Sequence, residues 1–239
     1  MERIRDPNNY KRRYAIALGD ATAGIARVGQ LWELDATKLE VQCLDGLFVL
    51  YVTIDVATRR IVATLHPTAS ADGTARHLHK SICVLGIPEK IKSDWGREFQ
   101  NSRIYRACLR MGFFTVDRVA RPYSGELKPF AERGIGTLLH MFFEQVSRFK
   151  GHNVKQAQEI QNRNSFERRH TRNLYEVSLT AAEVQELLER WLDAVYGNRP
   201  HAGLHGSTPN AEFAAGEARG EVRRVTDERL LDVLLVRTA

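Results

Sequence analysis

Nowhere in this sequence do about 18 apolar residues follow one another, and Met1 to Tyr14 is charged rather than apolar, so neither a helical membrane span nor a secretory signal is expected. Cysteine is scarce. The three present, Cys43, Cys83 and Cys108, are odd in number and widely spaced, which argues against a disulfide framework and a zinc module alike. Each sits among apolar neighbours, as in Ser81-Ile82-Cys83-Val84-Leu85, and reads as a buried thiol. Wholesale disorder is excluded by composition, with 43% hydrophobic and 27% charged residues over 239 positions. An intracellular protein with one sizeable core and a small appendage is the expectation, with no membrane partner.

A formal net charge of +6 suits a polyanionic partner without identifying one. The positive residues gather at Arg3, Arg5, Lys11, Arg12 and Arg13, and again at Lys150, Lys155, Arg163, Arg168, Arg169 and Arg172. Such clusters fit phosphate neutralisation or a solvated face.

Hydrophobic periodicity predicts strands at 31–35, 46–55 and 61–65, joined by short turns into an antiparallel meander. The middle strand is apolar on both faces, which places it centrally under cover from helices later in the chain. A helix is expected over 70–85, stopped by Gly86 and Pro88, then a strand at 90–94, a helix at 99–111, a strand at 113–116 and a long helix from Pro129 to Phe149. Thr180 with Glu183 forms a capping box opening another helix to Tyr196. Residues 197–220, rich in Gly, Pro and Ala, read as connector. The division expected is a basic arm or linker at 1–28, a catalytic core at 29–150, a helical extension and connector at 151–220, and the start of a truncated C-terminal domain or tail at 221–239.

Three acids stand out. Asp35 is expected to close the first strand, Asp94 to close the strand at 90–94, and Glu132 to sit in the first turn of the long helix. Neighbouring strand ends and a helix start beside them can bring three carboxylates to one mouth. Such a cluster needs cations, and oxygen ligands without His or Cys favour Mg²⁺ or Mn²⁺. Taken singly, each acid also reads as a turn or first-turn residue; their local contexts decide.

Trp32-Glu33-Leu34-Asp35-Ala36-Thr37 resembles the first-aspartate motif of retroviral-type integrases and bacteriophage Mu-type transposases. Ser93-Asp94-Trp95-Gly96-Arg97-Glu98-Phe99 is similar to their second motif, with Trp95 where Asn is usual. Lys128-Pro129-Phe130-Ala131-Glu132-Arg133 resembles the Mu-type glutamate motif, 38 positions after Asp94 where the family's usual separation is in the mid-thirties. Tyr196-Gly197-Asn198-Arg199-Pro200-His201-Ala202-Gly203-Leu204, followed by Thr208-Pro209, matches the segment that trails the core. Four ordered motifs between Leu31 and Phe213 thus resemble the DDE transposase/integrase superfamily.

That resemblance implies an RNase H-like α/β fold: a mixed five-stranded sheet with flanking helices, plus a C-terminal helical extension. It implies Asp35, Asp94 and Glu132 as catalytic ligands of two Mg²⁺ ions, with Mn²⁺ as substitute. The activity implied is phosphodiester hydrolysis at transposon ends, then attack of the freed 3′-OH on target DNA. DNA is the implied partner, a homo-oligomer the implied active assembly, and the bacterial cytoplasm or nucleoid the expected location. Lys128, Arg133, Arg168 and Arg169 are candidate phosphate contacts. Neither a zinc module nor a helix-turn-helix precedes the core, so end-specific recognition is expected to reside in a further segment. The alternatives are a nuclease of the same fold that does not join strands, and a catalytically silent DNA-binding regulator.

Glu126 competes with Glu132 for the third carboxylate, but it lies before Pro129 in a Gly-containing segment, whereas Glu132 heads an apolar stripe. A ligand must be held to a fraction of an ångström, which favours the packed position. Glu132→Gln should therefore destroy Mn²⁺-dependent strand transfer while Glu126→Gln retains most of it. A side-by-side joining assay checks the ranking.

Overall fold

A computed structural model describes residues 24–93, 106, 108–112, 114–115, 128–146, 179–225, 229 and 231–232. The expected meander is present as β1 (Trp32–Cys43), β2 (Gly46–Asp55) and β3 (Ile61–His66). With β4 (Lys90–Ser93) and β5 (Phe114–Thr115) it builds a five-stranded sheet of order β3-β2-β1-β4-β5. β1, β2 and β3 pair antiparallel, while β4 and β5 run parallel to β1. This is the mixed sheet of an RNase H-like fold.

β1 is longer than expected. It does not close at Asp35 but continues to Cys43, forming a hairpin with β2 in which Cys43 pairs with Gly46. The register slips between Ala36 and Glu40, so an irregularity follows Asp35 directly. Such bulges bend a strand locally without ending its pairing.

Helix α1 (Ala71–Leu85) starts at Ser70, whose side chain accepts from the Gly73 N–H, and ends at Gly86, whose positive φ (84°) glycine adopts without strain. It covers one face of the sheet, burying Ala75, Leu78, Ile82 and Leu85 with Trp32, Leu34 and Val62. Cys83 falls outside that stripe and is exposed, against expectation; Cys43 and Cys108 are buried.

Helix α2 (Pro129–Leu138) continues through a π-helical turn (Leu139–Phe143) and a last turn at Glu144–Val146. Helix α3 (Ala181–Trp191) opens on the Thr180–Glu183 capping box and closes in a π-helical turn at Leu192–Tyr196. Both helices pack on the other face, where Leu50, Val52, Ile54 and Ala63 meet Ala131, Leu138, Phe142, Phe143, Val184 and Leu188. Phe142 and Phe143 are therefore core residues. Gly134 permits the approach of α2: a Cβ there would lie 3.2 Å from Ile61 Cδ1.

Where connector was expected, Thr208 caps helix α4 (Pro209–Ala218), which buries Phe213 in the α1-side core. Among the described residues, no helix is long and apolar enough to cross a membrane. The basic arm before residue 24, most of the predicted helix at 99–111, and the polar stretch at 151–175 lie outside the described residues.

Beneath α1 runs a polar seam. His77, fully buried, hydrogen-bonds Thr53 Oγ1 through Nε2 (2.8 Å) and Thr64 Oγ1 through Nδ1 (2.7 Å), and Ser81 Oγ donates to Thr53 Oγ1 (3.1 Å). Burial, with His66 nearby, pushes the His77 pKa down to about 3. Below its ordinary value of 6.5, the unfolded chain takes up a proton that the folded chain refuses. The stability held above that pH is therefore lost as pH falls toward about 3. The expected slope is up to about 1.4 kcal/mol per pH unit. Urea melts from neutral to mildly acid pH should show this loss, and His77→Gln should flatten it. The curve should not become flat, because burial also lowers the His66 pKa.

Candidate active site

The site is built where β1 meets β4 and the first turn of α2. In the parallel register Trp32 pairs with Ile91, Glu33 with Lys92 and Leu34 with Ser93. Ser93 is the last described residue of β4, and Asp94 follows it in sequence but lies outside the described residues. Asp35, the next residue of β1, pairs with Val52 of β2 and shares the α2-facing side of the sheet. Its side chain retains 18% exposure, and its Oδ1 accepts from the Ala36 N–H at 2.9 Å.

Glu132 sits in the first turn of α2 and is exposed. Its placement depends on a residue that sequence reasoning overlooked. Glu33 is 1% exposed, and its Oε2 accepts from the Phe130 N–H (2.8 Å) and the Ala131 N–H (2.9 Å). These are N–H groups that a helix start leaves without an intrahelical partner. Pro129, at the first helical position, has no N–H to satisfy. A strand carboxylate thus caps the helix from outside, two residues before Asp35 on the same strand face. Burial pushes the Glu33 pKa up, while the two N–H groups, then Lys92 and Lys128, pull it back. The one available signal was a glutamate two residues before the strand aspartate, on the side that must meet α2.

Lys128 precedes α2 without capping it and is turned inward, at 3% exposure. Its Nζ lies 2.8 Å from Asp35 Oδ1 and 3.4 Å from the Leu34 carbonyl oxygen. The candidate phosphate contact is thus a counter-charge to Asp35. Arg133 remains on the surface, donating through Nε to the Pro129 carbonyl (2.9 Å) with its guanidinium 4.9 Å from the Phe130 ring centre. Arg168, Arg169 and Glu126 lie outside the described residues.

Asp55, at the end of β2, pairs with Trp32 at the far end of β1. Its fully buried carboxylate accepts from Gly29 N, Thr58 N and Thr58 Oγ1 at 2.7–2.8 Å, fixing the β2–β3 turn. Among the described residues, no three His, Cys, Asp or Glu side chains group closely enough to hold a metal. Donor chemistry at the β1–α2 junction is carboxylate oxygen, from Asp35 and Glu132, and an ammonium already neutralises Asp35 there. Carboxylate oxygen is the donor type a hard cation takes, and at Asp35 such a cation would take the place of the Lys128 ammonium.

Residues 26–124 match the integrase core domain family, a span that contains Asp35 and Asp94 and stops before Glu132. The Gag-Pro-Pol polyprotein of sheep pulmonary adenomatosis virus is 26% identical over 119 residues, which are 50% of this chain and 7% of that polyprotein. Among solved structures, the HTLV-2 integrase catalytic core domain, a trimeric form in complex with magnesium, is similar at a TM-score of 0.50 and 15% identity. The likeness covers 80% of this chain and 99% of that one. The catalytic core domain of BIV integrase gives a TM-score of 0.47 at 16% identity, over 80% and 98% of the two chains.

Replacing Glu33 with Ala should strand two buried N–H groups and cost roughly 2–4 kcal/mol. Glu33→Gln keeps a carbonyl acceptor and should cost less than half of that. Urea denaturation of the two variants against the parent measures both values.

Proposed function

We propose, for a chain that belongs to the DDE transposase/integrase superfamily, that Asp35, Asp94 and Glu132 are the catalytic carboxylates of a DNA strand-transfer enzyme. The observation that carries this reading is the junction itself. β1 carries Asp35 beside β4, whose last described residue is Ser93, and Glu33 fastens to the same strand the helix turn bearing Glu132.

Two divalent cations, Mg²⁺ or Mn²⁺, would be held by these three side chains, supplying Lewis acidity to the attacking and leaving oxygens. Asp35 on β1 and Asp94, which follows β4 in sequence, would supply two of the ligands, and Glu132 on α2 the third. In the first step a water oxygen bonds to phosphorus at the transposon end while the P–O3′ ester bond breaks, and the 3′ oxygen leaves with a proton. In the second, that 3′ oxygen bonds to a target phosphorus and expels a target 3′ oxygen. One ester bond forms as one breaks, so no covalent enzyme intermediate is required. Arg133, beside Glu132 on the exposed side of α2, and Arg168 and Arg169 contribute phosphate contacts. Pairing two transposon ends calls for a homo-oligomer, a reading supported by the trimeric form of the HTLV-2 integrase core.

Asp35→Asn and Asp94→Asn should each abolish Mn²⁺-dependent cleavage and joining of a pre-cut DNA end, while leaving non-specific DNA affinity nearly intact. Loss of a charged ligand removes metal affinity without opening the core. Gel analysis of joined products, beside melting curves for the same preparations, provides the check; normal turnover by either variant rejects the assignment.

A further inference from the structure

After the π-helical turn of α3, the chain returns through Arg199, Pro200 and His201 to a 3₁₀ turn at Ala202–Leu204. The Tyr196 hydroxyl donates to the Arg59 carbonyl oxygen (2.9 Å), and the His201 N–H donates to the Ser207 carbonyl oxygen (2.9 Å). His201 Nδ1 accepts from the Gly203 N–H at 3.3 Å. This loop is therefore anchored at both ends. It lies directly on Arg59, since a Cβ at Gly203 would be 3.6 Å from Arg59 Nε and 3.5 Å from His201 Nδ1.

Arg59 is 6% exposed in a left-handed backbone conformation (φ 62°), and its guanidinium stands 4.0 Å from the centre of the Phe130 ring that Arg133 also approaches. Arg199 rests on Met141, Nη1 to Sδ 2.8 Å, further along the same helix. Arg133 and Met141 are eight residues apart, or roughly 12 Å of helix. Arg133 and Arg199 are both exposed, and among the described residues no carboxylate pairs with either. Burial and then Arg59, Arg133 and Arg199 all lower the pKa of His201, so the three arginines act on one spot. Glu33 and Asp55 act on Arg59 from the core side. Arg133 and Arg199 are positioned by an aromatic ring, a backbone carbonyl and a thioether, none of which neutralises them, so their outward charge is left over for a ligand. The buried Arg59 donates to the Val56 carbonyl behind them.

We propose that Arg133, Arg199 and His201, backed by Arg59, form a clamp for successive DNA backbone phosphates along the outer face of α2, leading to Glu132. The inference rests on the DNA-joining reading and adds to it a binding role for the segment Tyr196–Leu204. That segment brings Arg199 and His201 to α2 and locks the loop to the β2–β3 turn, so phosphate binding is built into the fold.

The test is fluorescence anisotropy of a short labelled DNA duplex over a salt series. Arg133→Ala/Arg199→Ala should bind at least tenfold more weakly at low salt. The slope of log affinity against log salt should shrink by about 2, close to one for each phosphate no longer neutralised. Arg190→Ala removes an exposed arginine paired with Glu186 and should stay within twofold of the parent. Melting curves confirm that all variants are folded. A double variant with parental affinity and slope overturns the clamp; if the parent then joins DNA ends in Mn²⁺, the strand-transfer reading survives. Weakened binding in the double variant without joining by the parent supports the clamp and rejects that reading. A parent that binds no duplex at low salt overturns both.

Discussion

The Glu33 carboxylate, almost without solvent and bound by the first free N–H groups of α2, is the contact on which the geometry of the site depends. Asp35 belongs to the sheet and Glu132 to a helix that arrives almost a hundred residues later. Packing alone lets a helix slide or roll on a sheet by fractions of an ångström, a looseness that side chains acting together cannot tolerate. Two hydrogen bonds from one carboxylate to consecutive helix N–H groups remove that freedom at the turn where it matters. A charged acceptor suits this role, because such bonds are stronger than neutral ones and the helix N-terminus is itself partly positive.

Concentrating acids here carries an electrostatic cost. Glu33 and Asp35 stand on one face of β1, with Asp94 following β4 in sequence. The chain offsets part of the charge from within: Lys128 lies on Asp35, Lys92 pairs in register with Glu33, and α2 presents its positive end. The opposite face of the sheet is organised differently. There Thr53, Thr64, His77 and Ser81 satisfy one another under α1 through neutral hydrogen bonds. At the end of the sheet beside α2 the negative charge is met by cations, whereas at the far end the buried Asp55 is held by hydrogen bonds from Gly29 and Thr58.

Much of this was legible in the sequence because it is written locally. Ser70, Gly86, Thr180 with Glu183, and Pro129 mark helix ends through chemistry confined to four or five residues, and each occupies its expected place. The meander followed from period-2 patterning and short turns. Glu33 escaped notice because Trp32-Glu33-Leu34-Asp35 alternates as a strand with one wet face would; its burial is caused by residues 97 and 98 positions away. The extension of β1 past Asp35 was hidden by the slip in register, which breaks the alternation that would have revealed it. Thr208-Pro209 carried a cap and a first-turn proline, yet the surrounding Gly and Ala content suggested connector. Cys83 shows the reverse error: apolar sequence neighbours do not bury a residue when helical rotation turns it outward.

Lys128 makes the ordering of constraints visible. It occupies the position before α2 where Ser, Thr, Asp or Asn would normally supply a cap, and its side chain does not cap. A local cap is unnecessary there, since Glu33 already receives the N–H groups such a residue would have served. An aspartate at 128 would satisfy the same donors only by adding another negative charge beside Asp35. Capping from the strand separates the two tasks: Glu33 fixes the helix, and the preceding residue is left to carry a cation into a nearly buried position against Asp35. The arrangement therefore follows the charge of Asp35 rather than the needs of the helix.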